Sequence, residues 1–264
     1  ANKGTSNNGM LQAILDPAHD WVSLPLPNAI DGDIYPAADG KIVFASGNQV
    51  CQLDAEGKHQ VVSTLKSGER LVGEGLSLRS NTLYKNGQKV AEGLRTCQSV
   101  QELAGGKYVA LCHPSVRSTS TVTVLSQGTR AVAVAPDYRF CVSAQEHTHH
   151  LISTIMDKQG NLLYSEPFYF LHDLSNGTLA TAGNMAFDTQ GNLYVATPMG
   201  VQVADHNGRV RAILSLPAGQ VHSLAFSGKY LYVRCGEQIF VRQMKAIGHN
   251  PKQGAMSYQS QGQG

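Results

Sequence analysis

Short runs of alternating apolar and polar residues, separated by glycine-rich turns, recur along most of the chain. Residues 183–245 contain two successive copies of one such unit, in which short apolar runs are joined by tight turns rich in Gly and Asn. A period of two is typical of half-buried β-strands, and Gly or Asn at a turn supplies the positive φ that a hairpin needs. Units of four short strands that repeat about every 40 residues predict the blades of a β-propeller.

The same unit can be followed along the rest of the chain, which predicts an all-β fold, a six-bladed β-propeller. The units are predicted to begin at Asp31, Glu74, Gln98, Arg130, Gly183 and His222. Residues 22–25 resemble residues 214–217, so we expect an N-terminal strand to supply the outer strand of the last blade and to close the ring. The propeller is placed at residues 17–248, between a flexible N-terminal segment (1–16) and a flexible C-terminal tail (249–264).

Length and charge narrow the classes of partner. The chain has 264 residues, of which 42% are hydrophobic, and this suits one all-β domain with a full core. A formal net charge of +2 gives no reason to expect a nucleic-acid or membrane partner, and no run of about 18 apolar residues predicts a transmembrane helix. The compartment is unknown: Ala1 is compatible with the mature end of an exported protein, and the polar ends are compatible with a domain of a longer protein.

Five cysteines lie mostly in strand-like runs, without the paired spacing of a metal site: Cys51, Cys97, Cys112, Cys141 and Cys235. A thiol in such a run behaves as a small hydrophobic side chain. Buried free thiols are therefore expected, and one disulfide is left open as the alternative.

The propeller geometry indicates which residues share a face. The innermost strand of each blade begins beside the central channel, at the same face in every blade. The residues expected around that mouth are Asp31, Glu74, Gln98, Arg130, Asn184 and His222. Loops that carry His113 and the pair Glu146 and His147 should overhang it, and the long connection over residues 166–182 brings in Tyr169 as a candidate pocket wall.

Two segments resemble blades of a known family. The sequence GNMAFDTQGNLYVAT at residues 183–197, followed by GVQV at 200–203, is similar to the fifth blade of senescence marker protein and gluconolactonase (regucalcin-like) propellers, and residues 133–172 are similar to the fourth. The resemblance is good over residues 130–245 and weak before them. It implies six blades, hydrolysis of sugar lactones or other esters, and one divalent cation, calcium or zinc, on the channel axis. It also implies that a Glu at the start of blade one, an Asn at the start of blade four and an Asp at the start of blade five bind the cation, with the Asp as general base.

The residues that would bind this cation depart from the pattern. Asp31 stands where a Glu is implied, and Arg130, which has no lone pair to offer, stands where an Asn is implied. Gly183 removes the general base unless Asn184 takes its place; Asn184 can ligate calcium but cannot act as a base. We therefore expect the usual metal site to be lost, with Asp31 and Asn184 as the remaining candidate ligands and Asn184 as a catalytic candidate.

Arg130 suggests a different chemistry. A planar guanidinium binds pairs of oxygens, so Arg130 can replace the metal as the positive centre for an anionic or sugar-like ligand. Further ligand-binding candidates at the same mouth are Glu74, Gln98, His113, Glu146 and Tyr169. Glu74 is also expected to form a salt bridge, with Arg130 as its partner.

Histidines offer a third possibility. His147 and His149 alternate within EHTHH as half of a zinc site would, although a solvated hairpin is the simpler interpretation. His113, His147 and His222 are expected near one mouth, where His147 and His222 are catalytic candidates as a metal-free general base.

Three functions of different classes therefore remain from the sequence. The first is a lactonase-type hydrolase with an altered divalent-cation site. The second is a catalytically inactive propeller that binds a small sugar-like or anionic ligand, or a neighbouring domain. The third is a metal-free, His-dependent enzyme. Fold alone does not choose among them, because propellers include both enzymes and scaffolds.

Overall fold

The computed structural model describes residues 4–6, 9–26, 28–113, 116–145, 148–173 and 182–257. Within them, the helix and the strands in chain order are β1 (Gly4–Ser6), α1 (Met10–Ile14), β2 (Val22–Leu24), β3 (Asp31–Ala37), β4 (Lys41–Ser46), β5 (Gln49–Leu53), β6 (His59–Thr64), β7 (Arg70–Gly73), β8 (Leu76–Arg79), β9 (Thr82–Lys85), β10 (Gln88–Ala91), β11 (Cys97–Glu102), β12 (Tyr108–Cys112), β13 (Val122–Leu125), β14 (Ala131–Val134), β15 (Phe140–Ala144), β16 (His150–Met156), β17 (Leu162–Phe170), β18 (Met185–Phe187), β19 (Leu193–Thr197), β20 (Gly200–Ala204), β21 (Val210–Leu214), β22 (Ser223–Ser227), β23 (Tyr230–Cys235) and β24 (Gln238–Gln243). Short 3-10 helices lie at Ala38–Gly40, Ala104–Gly106 and Pro251–Gln253. No helix in these ranges is long and apolar enough to cross a membrane.

The strands form six sheets, which confirms the predicted all-β, six-bladed propeller. Blade 1 contains β3–β6, blade 2 β7–β10, blade 3 β11–β13, blade 4 β14–β17, blade 5 β18–β21 with β1, and blade 6 β22–β24 with β2. The first strand of each blade contacts the first strand of the next, and β22 contacts β3. These six inner strands therefore surround a central channel, and the apolar core lies between neighbouring blades, as between Tyr194 in blade 5 and Phe226 in blade 6.

The N-terminal segment contributes to the last two blades. β2 pairs antiparallel with β24, with Ser23 opposite Phe240, and β1 pairs antiparallel with β21 as a fifth strand of blade 5. The expectation of a flexible segment fails for residues 9–16, because Ile14 and Leu15 are buried and the Ile14 carbonyl accepts the Lys245 N–H at 2.9 Å.

Blade 2 begins earlier than the sequence predicted. Its inner strand is β7, and Glu74 follows β7 in the turn to β8 instead of beginning the blade. The strands of this blade have four residues each and are separated by two-residue turns, so the alternation of Leu76 and Leu78 in β8 looks like that of an inner strand. The placement of Glu74 at the mouth of the channel is therefore wrong.

Blade 3 is the narrowest blade, with three strands, and its outer strand β13 runs parallel to β12. The outer edge of β13 is covered by side chains of the preceding loop. Thr119 Oγ1 accepts the Val122 N–H and Ser118 Oγ accepts the Val124 N–H, both at 2.9 Å. These hydroxyls satisfy donors that a fourth strand would otherwise bind.

A disulfide joins Cys97 in β11 to Cys112 in β12. The expectation of five free thiols is therefore wrong for these two cysteines, whose positions directly opposite each other in the ladder could not be read from their spacing. The other three, Cys51, Cys141 and Cys235, are buried free thiols.

One turn recurs in four hairpins, at residues 54–58, 157–161, 188–192 and 205–209. In each, the first residue is Asp, and one of its oxygens accepts the backbone N–H groups two and four residues later. The fourth residue is Gly with a positive φ of 76–90°. The carboxylates of these four aspartates accept hydrogen bonds within their own turns and therefore do not line the channel.

The segment at residues 245–257, here called the C-terminal strap, crosses the face of the ring at which the inner strands end. Gly248 N–H donates to Gly228 O in blade 6, and His249 N–H donates to Phe187 O in blade 5. Further along, the Tyr138 hydroxyl of blade 4 donates to Pro251 O. The tail expected at residues 249–264 is thus held against the propeller as far as Met256, whose N–H donates to Pro136 O at 2.8 Å, and residues 258–264 lie outside the described ranges.

Candidate active site at the upper mouth of the channel

The face at which the inner strands begin, here called the upper mouth, brings together residues from all six blades. Asp31 begins β3, Arg70 begins β7, and Gln98 lies in β11. Arg130 directly precedes β14, Asn184 precedes β18 and His222 precedes β22. Five of the six residues expected at this mouth lie at or next to the start of their inner strands, and Arg70 lies where Glu74 was expected.

Arg130 spans the channel. One guanidinium nitrogen donates to Asp33 Oδ2 at 2.7 Å and the other to Asp33 Oδ1 at 2.6 Å, in a bidentate ion pair. Blade 4 faces blade 1 across a six-bladed ring, so this pair crosses the channel axis. The two side chains are 31% and 16% exposed, which places the pair within the mouth and not on the outer surface. The predicted partner Glu74 is replaced by Asp33.

Tyr35 and Arg70 extend this group into blade 2. The Tyr35 hydroxyl donates to Leu71 O at 3.3 Å, and burial together with the Asp33 carboxylate raises the pKa of Tyr35, against the opposing charges of Arg70 and Arg130. Because its pKa is raised, Tyr35 remains a neutral hydrogen-bond donor. We call Asp33, Tyr35, Arg70 and Arg130 the mouth cluster.

Arg70 is the exposed cation of the mouth cluster. Its guanidinium donates to the backbone carbonyls of Cys97 at 2.5 Å and Gln98 at 3.2 Å, in blade 3. These carbonyls hold the guanidinium in place without cancelling its charge. Within the described ranges, no carboxylate lies within ion-pair distance of Arg70.

Asn184 connects three blades through its amide. Its Oδ1 accepts the Leu224 N–H at 2.7 Å, and its Nδ2 donates to Leu224 O at 2.9 Å and to Ile34 O at 3.3 Å. The side chain therefore extends the backbone ladder of blade 6 towards blade 1. Gly183, the position at which the resemblance implied a base, has no room for a side chain, because a Cβ there would lie 2.6 Å from His222 O.

His222 is exposed at the mouth and is oriented by the next turn. The Gly236 N–H donates to its Nδ1 at 2.9 Å, so in the neutral ring the proton lies on Nε2. The neighbouring Arg234 is fixed between blades 6 and 1, since it donates to Gly236 O at 2.8 Å and to Gly32 O. His222 consequently presents an N–H donor to the mouth, and its basic lone pair is already used.

The remaining residues predicted at the mouth, Asp31, Gln98 and His113, are exposed and differ in their contacts. Asp31 Oδ2 accepts the Gly47 N–H at 2.5 Å, which ties it to the β4–β5 turn and not to the axis. Gln98 lies exposed at the start of β11, and His113 follows β12, where its backbone N–H donates to Thr96 O at 3.2 Å. Both side chains are therefore available on the blade 3 side of the mouth.

Two predicted ligand-binding residues lie elsewhere. Glu74 is at the opposite face, where it accepts the Ala38 N–H at 2.9 Å and pairs with Lys252 of the C-terminal strap at 3.0 Å. Burial alone would raise the pKa of Glu74, but these two contacts hold it below its ordinary value. Tyr169 is 1% exposed within the core between blades 4 and 5, so it forms no pocket wall.

The histidine-rich loop is only partly described. Glu146 and His147 lie outside the described residues. His149 and His150 both contact Phe170, with ring centroids 6.1 Å apart in each case, and His150 Nε2 is 3.2 Å from Gln145 Nε2. This aromatic group borders the upper face of blade 4, in its outer strands.

The donor set at the upper mouth does not fit a divalent cation. Arg130 places a positive group on the axis, Asn184 Oδ1 already accepts a backbone N–H, and Asp31 is directed to a turn. Among the described residues, no group of three or more His, Cys, Asp or Glu side chains is arranged to hold a metal ion. We therefore derive no chemistry at this site through calcium or zinc.

A separate open cleft of about 1420 Å³ lies between blades 3 and 4, beside the narrow blade 3. Polar side chains such as Ser120, Thr123 and Asn161 line it, together with Phe140 and Phe168. It contains none of the residues predicted for the channel mouth, so cleft and mouth are distinct features.

With the ring and its mouth established, comparison with solved structures identifies similar folds. A putative gluconolactonase superposes with a TM-score of 0.71 at 11% identity, over 93% of this chain and 99% of that one. The architecture is that of the gluconolactonase and regucalcin propellers. A gluconolactonase from Xanthomonas campestris gives a TM-score of 0.65 at 13% identity, over 92% of this chain and 95% of that one. Regucalcin from Agrobacterium tumefaciens, a calcium-binding protein, gives 0.61 at 14% identity, over 85% and 92%.

At these identities the likeness concerns the fold. Comparison with protein-family models gives no match, and comparison with curated protein sequences gives none. The six-bladed architecture expected from the resemblance is thus present. At the axis, where the resemblance implied a cation, the guanidinium of Arg130 lies instead.

Sequence reasoning missed three of the four residues of the mouth cluster. Regular period-two alternation would put Asp33 on the same face as Asp31 and favour either residue. The β3–β4 register shifts between Asp31 and Tyr35, with Gly32 at a φ of 78°, so only Asp33 reaches Arg130. Arg70 was missed because blade 2 was placed one strand late. Tyr35 gave no separate signal, since a tyrosine in a strand is most often a packing residue.

Proposed function

We propose that this protein is a metal-independent binding propeller, which holds a small sugar-like ligand bearing a carboxylate at the upper mouth. The observation that carries the proposal is the pair of guanidinium groups in the mouth cluster: Arg130, fixed across the channel by Asp33, and Arg70, fixed by two backbone carbonyls. The similar fold of gluconolactonases supports a site at the channel mouth without defining its chemistry.

Arg70 supplies the charge for the ligand. The Asp33 carboxylate compensates Arg130, whereas the groups that hold Arg70 among the described residues are the neutral carbonyls of Cys97 and Gln98. A guanidinium held by carbonyls keeps its net charge and loses little further side-chain entropy on binding, so it favours a carboxylate that approaches its exposed side. We therefore expect Arg70 to determine the preference of the site for anionic over neutral ligands.

The remaining groups at the mouth suit hydroxyls and not apolar surface. His222 offers an N–H donor at Nε2, and Gln98 offers both a donor and acceptors. Among the residues that the structure describes, the ends of the inner strands expose no large apolar side chain at the mouth. A polyhydroxylated carboxylate, such as a sugar acid, therefore matches these groups better than a hydrophobic ester.

Hydrolysis of sugar lactones is the alternative, and the arrangement of possible bases argues against it. Asn184 cannot accept a proton, Gly183 carries no side chain, and the basic nitrogen of His222 is occupied by the Gly236 N–H. The same contact disfavours a His222-dependent lyase.

An assay of lactone hydrolysis with and without chelator separates these functions. We expect no rate of hydrolysis above that in buffer in either case, and turnover that depends on His222 would contradict the binding function.

The direct test is a thermal-shift and calorimetric screen in the presence of EDTA. Sugar acids should stabilise the protein while the corresponding neutral sugars should not, and Arg70→Gln should abolish the difference. Arg139→Gln is the matched control, since Arg139 is an exposed arginine after β14, at the opposite face. Equal responses to acids and neutral sugars, or an unchanged response in Arg70→Gln, would overturn the proposal.

A further inference from the structure

A β-bulge at the start of blade 3 supplies both carbonyls that hold Arg70. The ladder between β11 and β12 shifts its register between Cys97 and Ser99, so Gln98 is the extra residue of the bulge. The guanidinium of Arg70 donates to Cys97 O at 2.5 Å and to Gln98 O at 3.2 Å. Because a bulge turns backbone groups out of the ladder, these two carbonyls reach the side chain on blade 2. The orientation of Arg70 therefore depends on the position of the bulge.

The disulfide fixes this bulge to the neighbouring strand. Cys97, whose carbonyl accepts a hydrogen bond from Arg70, is itself bonded to Cys112 at the end of β12. One residue further along, the His113 N–H donates to Thr96 O at 3.2 Å. Both residues of that contact are exposed, so water competes for this hydrogen bond. The covalent bond is therefore the firmest constraint on the place of the Cys97 carbonyl.

We infer that the Cys97–Cys112 disulfide is a redox control of the anion site: the oxidised form holds Arg70 in place for a carboxylate, and reduction weakens that binding. This regulation rests on the proposed function, because it concerns the affinity of the same site. A dithiol supplies the electrons: its two thiols become a disulfide, and their two hydrogens pass to the Cys97 and Cys112 sulfurs. Once the bond is broken, this end of β11 is free to move from β12, and the guanidinium must be ordered again when the ligand binds.

The place of the disulfide in blade 3 suits such a control. The two cysteines are buried, with Cys97 5% and Cys112 0% exposed, so a reductant reaches the sulfurs only after local opening. They form the terminal pair of the β11–β12 ladder, and exposed residues lie beside each of them, at Gln98 and His113. Terminal pairs of a ladder open more readily than central ones, and this opening leaves the rest of the blade intact.

The first measurement needs no ligand. NMR of arginine side chains, with Arg70→Gln to assign the signals, reports how restricted the Arg70 guanidinium is before and after treatment with dithiothreitol. In the oxidised protein we expect separate signals from the two sides of this guanidinium, because two carbonyls hinder its rotation. On reduction these signals should be lost by averaging. Unchanged signals in fully reduced protein would overturn the inference, whatever the protein binds.

The second measurement is the affinity for a sugar acid, with glucuronate as the probe, by calorimetry in the presence of EDTA. Reduction should weaken glucuronate binding by about five-fold, which corresponds to the ordering of one long side chain. Cys97→Ala/Cys112→Ala should bind glucuronate as weakly as the reduced wild type and should not respond to dithiothreitol. Cys51→Ala removes a buried free thiol in blade 1 and should respond as the wild type does.

Three results of the second measurement would overturn the inference. They are a disulfide that resists dithiothreitol in the folded protein, equal affinities of the oxidised and reduced wild type, and a double alanine variant that binds as the oxidised wild type does. If the double variant does not fold, the reduced wild type provides the same comparison. Oxidised protein that binds no sugar acid would overturn the proposed function and, with it, the control of binding; the NMR signals would then show separately whether the disulfide holds Arg70.

Discussion

Arg130 is the residue that separates this mouth from a metal centre. A guanidinium donates hydrogen bonds and cannot accept a cation, and here it reaches the carboxylate of the blade that faces it. The sequence predicted this departure, because an arginine at the start of blade four is visible without a structure. The sequence did not identify its partner, because regular alternation would place Asp31 and Asp33 on one face of β3, whereas a register shift after Asp31 directs Asp31 to the β4–β5 turn and Asp33 to Arg130.

The Arg130–Asp33 pair should contribute measurably to stability. Replacing either residue leaves the other charge partly buried without its partner, so Arg130→Ala and Asp33→Asn should each lower the free energy of unfolding by about 1–3 kcal/mol. A double-mutant cycle from urea unfolding measures their coupling, which we expect to be about 1 kcal/mol or more.

The control for that cycle is the exposed pair Lys89 and Glu92, whose nitrogen and oxygen are also close, at 2.7 Å, but whose side chains are 59% and 67% exposed. Its coupling should be about 0.3 kcal/mol. Equal coupling in the two cycles would show that the axial pair is only a surface contact.

At the scale of elements, the C-terminal strap was the least predictable part of the chain. The Gln- and Gly-rich composition of residues 249–264 is typical of a flexible tail, yet residues 245–257 contact blades 2, 4, 5 and 6. Such contacts depend on backbone groups of distant turns, which leave no local sequence signal. Blade 2 was misplaced for a related reason, because strands of four residues carry too few alternating positions to fix the order of a sheet.

The strap should loosen in acid through His249. Burial lowers the pKa of His249 below its usual 6.5, and its Nε2 is buried with no hydrogen-bond partner among the described residues. A lowered pKa in the folded state means that the unfolded chain binds the proton more readily. The stability that neutral His249 provides is therefore present above about pH 6.5 and is lost as the pH falls through its folded pKa.

Hydrogen exchange of residues 245–257 measures this loss. Exchange should accelerate in wild type between about pH 7 and pH 5, after correction for intrinsic rates, and His249→Phe should reduce the acceleration. His206→Gln, at an exposed histidine in the β20–β21 turn, should leave it unchanged. An acid response that persists in His249→Phe would assign the effect to another group.

For the whole molecule, the six-bladed architecture was predictable from the sequence, and the pairing of cysteines in a disulfide was not. Six blades follow from a repeat of about 40 residues, because period-two alternation and turn residues are local signals. The pairing of Cys97 with Cys112 depends on which residues lie opposite each other in the β11–β12 ladder, and this requires the register. The cluster at the mouth likewise depends on ring closure, which brings residues of blades 1, 2 and 4 together.

Thiol labelling tests whether Cys97 and Cys112 form a disulfide while the other three cysteines are free. Protein purified under oxidising conditions and alkylated in denaturant should take up three labels without prior reduction, on Cys51, Cys141 and Cys235, and all five after reduction. Mass spectrometry counts the labels and locates them. Five labels without reduction would contradict the disulfide.

The proposed function requires that an arginine, and not a metal ion, holds the channel axis. The measurement that tests it most directly is the metal content of purified wild-type protein after dialysis against calcium or zinc and then against metal-free buffer. Mass spectrometry of the elements should find far less than one ion of either metal per chain. About one retained ion per chain, lost in Asp33→Asn, would contradict the claim and would restore a metal-dependent hydrolase as the function to test.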